Sequence, residues 1–169
     1  MGACGMAKAS DVRHTPSGVI LELGQRYGWV FDLDAAALRG NKVAPTYFGP
    51  DHRDPAMRNA LADELFWCEH GTCVWLNMPY SEIPIWLDKV QRELRRAKRE
   101  AKPMTVVCLL PSSTSAHWWH DHVWNRDKGM WHHNVGTVDF WPKRINFAPH
   151  FTGAKWPSVV VEFRSQAVR

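Results

Sequence analysis

Long apolar runs are missing from this chain. Its hydrophobic stretches are strand-sized, far short of the ~20 residues that a membrane-spanning helix needs. The first fifteen residues hold no apolar segment of the kind a secretory signal requires. Gly2 would suit myristoylation, but Met6 stands where that signal places serine or threonine. The four cysteines (Cys4, Cys68, Cys73 and Cys108) make no Cys-x-x-Cys pair and no disulfide framework, which points to reduced thiols in a cytosolic protein. No glycine loop is built to cradle phosphates, no serine is placed with a base, and no carboxylate pair suggests hydrolysis. Internal repeats and low-complexity segments are absent too.

What remains is 169 residues, 45% of them apolar, enough for one compact domain with a core. Residues 1–12 read as a loose tail, and residues 13–169 as the domain. A net charge of +4 tilts the chain mildly toward anionic partners. Thr15-Pro16 opens a helix in which Val19, Ile20, Leu23 and Tyr27 recur at helical spacing, and Gly28 closes it. Residues 29–33 form a short buried strand that ends in Asp34 and three alanines. Asp54-Pro55 starts a second helix, running to about residue 67. A strand at 74–76 leads to Ser81 as the cap of a long helix that reaches about residue 102. Then come an apolar strand at 104–110, a helix over 116–124, and closing strands at 136–141, 145–147 and 158–163. Strands alternate with helices as far as residue 124. That predicts an α/β protein with a mostly parallel sheet, helices on both faces and an antiparallel C-terminal hairpin.

Chemistry concentrates where the strand at 74–76 ends, because ligands of open α/β sheets bind outside the carboxyl ends of strands. Asn77, Met78, Pro79 and Tyr80 place an amide, a stiff turn and an aromatic ring there. Such a set suits gripping the amino group of a planar base. Two other clusters invite interpretation. His117, Trp118, Trp119, His120, Asp121, His122, Trp124, Trp131, His132 and His133 crowd one stretch, yet their spacing does not fit a helical metal-binding histidine pair. The basic run from Lys89 to Lys102 reads as a solvated helix face whose cations complement the helix dipole.

Several ordered pieces together resemble the small phage-type, Dam-like DNA N6-adenine methyltransferases. They are Thr15-Pro16 before a helix, Phe31-Asp32-Leu33-Asp34-Ala35-Ala36, and Asn41 through Pro45 to Tyr47-Phe48. Val74 to Ser81 follows, then Leu109-Leu110-Pro111 with Thr114-Ser115, and Trp118-Trp119-His120. Val138-Asp139-Phe140 to Arg144-Ile145-Asn146-Phe147, and Trp156-Pro157-Ser158, complete the set, which spans residues 14–164. The family motif has two prolines; here Met78 takes the place of the first.

The resemblance implies a Rossmann-like methyltransferase fold, S-adenosylmethionine as cofactor and double-stranded, adenine-containing DNA as partner. It gives Asn77 Oδ1 and the Met78 carbonyl as acceptors for the two hydrogens of the target amine. Pro79 restrains Met78, since a residue before proline is pushed to extended backbone. Tyr80 would stack on a base drawn out of the duplex. Asp34, Ala35, Thr15, Pro16 and Asn77 are expected beside the cofactor, although Thr15 can equally serve only as a helix cap. Asp32 is the other candidate carboxylate, and Asp34 is preferred as nearer the strand end. Asn41 and Tyr47 match the family's loop. Ser115, Trp118, His120, Trp131, Lys143 and Arg144 are the candidates for DNA contact, Trp131 either touching phosphates or wedging into the duplex. The alternatives are methylation of cytosine N4, also an exocyclic amine, and a non-catalytic protein that kept the fold.

Overall fold

Two long strands carry the middle of the sheet: β4 (Thr105–Pro111) and β8 (Ser158–Arg164), both buried along nearly their whole length. Strands covered on both faces read this way. In the computed structural model, residues 14–147 and 155–165 are described; the expected tail at 1–12 lies outside them. Val106, Cys108 and Leu110 share one apolar cluster with Val159 and Val161, whereas Val107 and Leu109 share another with Val160. Strand period two sets these groups on opposite faces. Helix α1 (Ser17–Tyr27) packs Val19 and Leu23 into the second cluster, and α2 (Ile83–Arg99) packs Leu87, Val90, Leu94 and Ala97 into the first. Helices therefore cover both faces, as the sequence predicts.

The remaining strands are β1 (Leu33–Asp34), β2 (Thr46–Tyr47), β3 (Cys73–Leu76) and β7 (Val135–Phe140). The six-stranded order is β2-β1-β3-β4-β8-β7. β1 pairs in parallel with β2 and β3, and β3 with β4; β8 is antiparallel to both β4 and β7. Thus β7 runs in the same sense as β1, β3 and β4, and the carboxyl ends of all four share one edge of the sheet. A short helix, α3 (His117–His122), and a two-stranded ribbon, β5 (Trp124–Asn125) with β6 (Met130–Trp131), follow β4.

Several expected elements differ. No helix spans 54–67; that segment holds only 3₁₀ turns at Pro55–Met57 and Trp67–Glu69. Its backbone closes only short turns, such as Ala62 N–H to Asn59 and Leu65 N–H to Ala62, and other groups of the segment bond to side chains. Lys89 Nζ donates to the carbonyls of Ala62 and Leu65, Trp67 Nε1 donates to that of Ala60, and the Trp67 N–H donates to Glu93. Satisfied in this way, the backbone gains little from helix. Lys89 is consequently not part of a solvated face: it is 1% exposed and ion-paired with Glu93 at 2.8 Å. The first strand is Leu33–Asp34 rather than 29–33, and Val30 is exposed. Residues 145–147 form no strand, though Ile145 and Phe147 are buried.

Helix boundaries shift as well. Tyr80–Glu82 is a 3₁₀ turn and Glu82, not Ser81, sits at the cap position of α2. Ala101 takes a positive φ of 54° and stops α2 before residue 102. Gly28, at φ 72°, closes α1 in the left-handed conformation that glycine adopts at no steric cost. Cys68, Cys73 and Cys108 are free thiols. Among the described residues no helix is long and apolar enough to cross a membrane.

Candidate active site at the carboxyl edge of the sheet

Because β1 and β3 are neighbours in register (Asp34 beside Trp75), Asp34 and Asn77 lie at adjacent strand ends. Asn77 Nδ2 donates to Thr15 Oγ1 at 3.0 Å, which tethers the amide to the segment entering α1. Thr15 is thus not the helix cap. Pro16 occupies that position and supplies no side-chain bond. By accepting from Asn77, the Thr15 hydroxyl keeps its own hydrogen for another acceptor.

Met78 follows with its side chain fully packed, 2% exposed, among the buried residues around Leu76 and Leu33. Its carbonyl precedes Pro79, which has φ −55° and ψ 123° and turns the chain into the Tyr80–Glu82 turn. Tyr80 is half-buried and packs against the same core. The side chain that distinguishes this motif is therefore a core residue, and the flexible thioether of methionine suits irregular gaps.

Asp34 is 3% exposed. Its Oδ1 accepts from the Ala36 N–H at 3.3 Å and its Oδ2 from the Val43 N–H at 3.0 Å. Burial raises its pKa to about 6, outweighing the two amide donors that favour the ionised form. Asp32 turns instead to the start of β3, where it accepts from Thr72 Oγ1 and from the amides of Thr72 and Cys73. The two carboxylates thus separate by function, and Asp34 holds the loop that leaves β1. In that loop Asn41 Oδ1 caps the Leu38 N–H at 2.7 Å, and the Tyr47 side chain packs against His52 with Lys42 over its ring. Gly49 admits no side chain, since an added Cβ would collide with the Ala37 carbonyl. Ala35 is fully buried.

The loops after β4 and β7 complete the edge. Ser115, Lys143 and Arg144 are exposed. Trp118 and His120 are half-buried, and Trp119 is buried between them. Trp131 is 39% exposed on β6, with its ring edge-on to Trp124 at 4.9 Å and to Trp119 at 6.3 Å. Trp119 in turn meets Phe140 at 6.1 Å, so an aromatic chain ties the ribbon to the carboxyl end of β7. His132 Nε2 lies 2.9 Å from the His120 carbonyl, bracing the ribbon on α3. Among the described residues no three His, Cys, Asp or Glu side chains are grouped to hold a metal.

Phe140, 50% exposed, and Trp156, exposed with Lys155 over its ring at 5.3 Å, belong to this rim but were not among the residues the sequence singled out. Both stood inside recognised motif pieces. The available signal was an aromatic at a strand terminus, where alternation ends and a side chain faces out.

A mostly parallel sheet closed by antiparallel strands, with polar and aromatic groups gathered at the carboxyl ends, defines a Rossmann-like methyltransferase fold. Residues 5–165 match the family model of the DNA N-6-adenine-methyltransferases (Dam), and the chain belongs to that family. It is similar to the DNA N-6-adenine-methyltransferase of Escherichia phage T1, 31% identical over 121 residues, or 72% of this chain. The match spans 44% of that relative's length, so the chain covers less than half of it.

Proposed function

We propose that this protein transfers a methyl group from S-adenosylmethionine to the exocyclic N6 of adenine in double-stranded DNA, and that residues 13–169 act as one methyltransferase domain. The observation that carries the reading is the end of β3: Asn77 tethered by Thr15, then a Met78 carbonyl restrained by Pro79. Adenine N6 is a poor nucleophile because its lone pair is delocalised into the ring. Asn77 Oδ1 and the Met78 carbonyl accept one hydrogen each, drawing the nitrogen toward a tetrahedral arrangement and freeing the lone pair. An amide is too weak a base to remove a proton outright, so acceptance orients the nitrogen without ionising it. As the N–CH3 bond forms, the donor's S–CH3 bond breaks to leave a neutral thioether, and the surplus proton of the amine passes to water. Positioning and electrostatics achieve this without a covalent enzyme intermediate.

The residues at the edge fit the donor. S-adenosylmethionine supplies, when bound, an electrophilic methyl group on its sulfonium. The Thr15 hydroxyl, with its hydrogen available, and the start of α1 at Pro16 suit the methionyl carboxylate. Small Ala35 beside Asp34 allows close approach, Asp34 suits hydroxyl or ammonium groups, and Asn77 borders donor and base alike.

The base must leave the stack to reach this edge. Tyr80 stacks on it, with one side of its ring already braced by the core. Trp131, held edge-on at the ribbon, fills the place the base vacates, while Ser115, Trp118, His120, Lys143 and Arg144 contact the strand and its phosphates. The test is transfer of labelled methyl from S-adenosylmethionine to unmethylated duplex DNA, followed by nucleoside analysis. N6-methyladenine is the expected product. N4-methylcytosine would transfer the reading to the other amine, and absence of both transfer and cofactor binding would leave a DNA-binding protein only.

A further inference from the structure

Away from the carboxyl edge, α2 and the irregular segment before β3 enclose a groove of about 310 Å³. Arg92, Arg95, Arg96 and Arg99 line it, together with Asp63, Phe66 and the buried Lys89–Glu93 pair. Arginine recurs here at helical spacing on one side of α2, where lysine would serve the helix dipole as well. Arginine differs in offering a planar fork that matches phosphate oxygens. Two of the four are already arranged. Arg96 sits over the Phe66 ring, its guanidinium carbon 3.0 Å from the centroid, and its Nε donates to Glu100 at 2.9 Å. Arg92 faces Asp63 at 3.7 Å across the mouth. Arg95 and Arg99 are exposed, and neither has a carboxylate within ion-pair distance among the described residues.

We propose that this groove binds the phosphate backbone of duplex DNA outside the methylated site, an inference that rests on the reading of the protein as DNA-acting. Dipole complementation accounts for cations on α2, but not for a concave wall of arginines pinned by an aromatic ring and a carboxylate. Direction decides the reach. α2 leaves the active edge and runs 1.5 Å per residue, so Arg95 and Arg99 lie roughly 18 and 24 Å from its start. At 3.4 Å per base pair, that is about 5–7 base pairs. A duplex trimmed close to its target adenine falls short of the groove, whereas one with long flanks can reach it.

The test compares duplexes of about 10 and about 40 base pairs sharing one adenine-containing centre, titrated at several salt concentrations. The double variant Arg95→Gln/Arg99→Gln, altered only at exposed positions, is set beside Arg53→Gln/Lys98→Gln, which removes equal charge outside the groove. Each phosphate contact adds close to one to the slope of log affinity against log salt. The groove variant is expected to lower that slope by about 2 and to weaken long-duplex binding about tenfold, with the short duplex unchanged and the control pair near the parent. An unchanged slope, equal losses on both lengths, or equal losses in both variants would overturn the proposal. So would occupancy by a polyglutamate chain that DNA does not displace. These are ratios of binding, so a parent that binds DNA yet transfers no methyl group would strike the proposed reaction and leave the groove standing.

Discussion

Asp34 gives the residue scale its sharpest pH signature. Its folded pKa is raised to about 6 from the ordinary value of 3.8. Between those values the folded chain holds a proton that the unfolded chain has released. The stability this group contributes is therefore fully present below about pH 4 and is lost as pH rises through about 6. Relative to Asp34→Asn, which cannot titrate, the parent should lose up to about 3 kcal/mol between pH 4 and pH 7, read from denaturant unfolding at each pH. A difference that stays flat would contradict the burial argument. Met78 packs its side chain into the core, with its carbonyl ahead of Pro79. Met78→Pro should cost about 1–3 kcal/mol of stability through lost packing, while the transfer rate per folded molecule changes only a few-fold. Activity that appears only with proline would refute that division of roles. The type and position of Asn77, Pro79 and Tyr80 were legible in the sequence, because a strand end followed by a turn is a local pattern. The Thr15–Asn77 bond was not, since it joins residues 62 apart.

At the scale of elements, the irregular segment between β2 and β3 depends on α2 for its hydrogen bonds. Glu93→Ala should cost about 3–5 kcal/mol in unfolding experiments, because Lys89 would remain buried without its partner. Replacing both with apolar residues should not be neutral. The Leu65 carbonyl and the Trp67 N–H would lose these partners, at about 1–3 kcal/mol for each group left unsatisfied, while the Ala62 carbonyl would keep only the Leu65 N–H. Lysine and glutamate four apart on a helix look like a surface pair, so only the tertiary contact reveals this one. For the same reason Asp54-Pro55 suggested a helix start where the structure has only short turns braced by side-chain bonds. The β5–β6 ribbon makes a separate prediction. Trp131→Ala should weaken binding to an adenine-containing duplex about tenfold with the fold intact, since a lost stacking contact is worth ~1–3 kcal/mol. Unchanged affinity would remove the wedge role.

At the scale of the whole molecule, one topological fact does the assembling. β1, β3, β4 and β7 run in the same sense, so loops far apart in sequence meet at one edge. The apolar run at β4 and the alternation of strands and helices made the α/β class legible. The insertion of β8 between β4 and β7 was not, because strand order follows from pairing and not from periodicity. In the proposed reaction Asn77, positioned by Thr15, prepares the amine for transfer. Its most direct test is the single-turnover rate of labelled methyl transfer by Asn77→Ala, with cofactor and DNA affinities measured alongside. The rate should fall at least about 100-fold while the protein stays folded and still binds duplex, in line with the loss of one preorganised polar group at a reacting centre. Transfer persisting near the parent rate in Asn77→Ala would contradict the account.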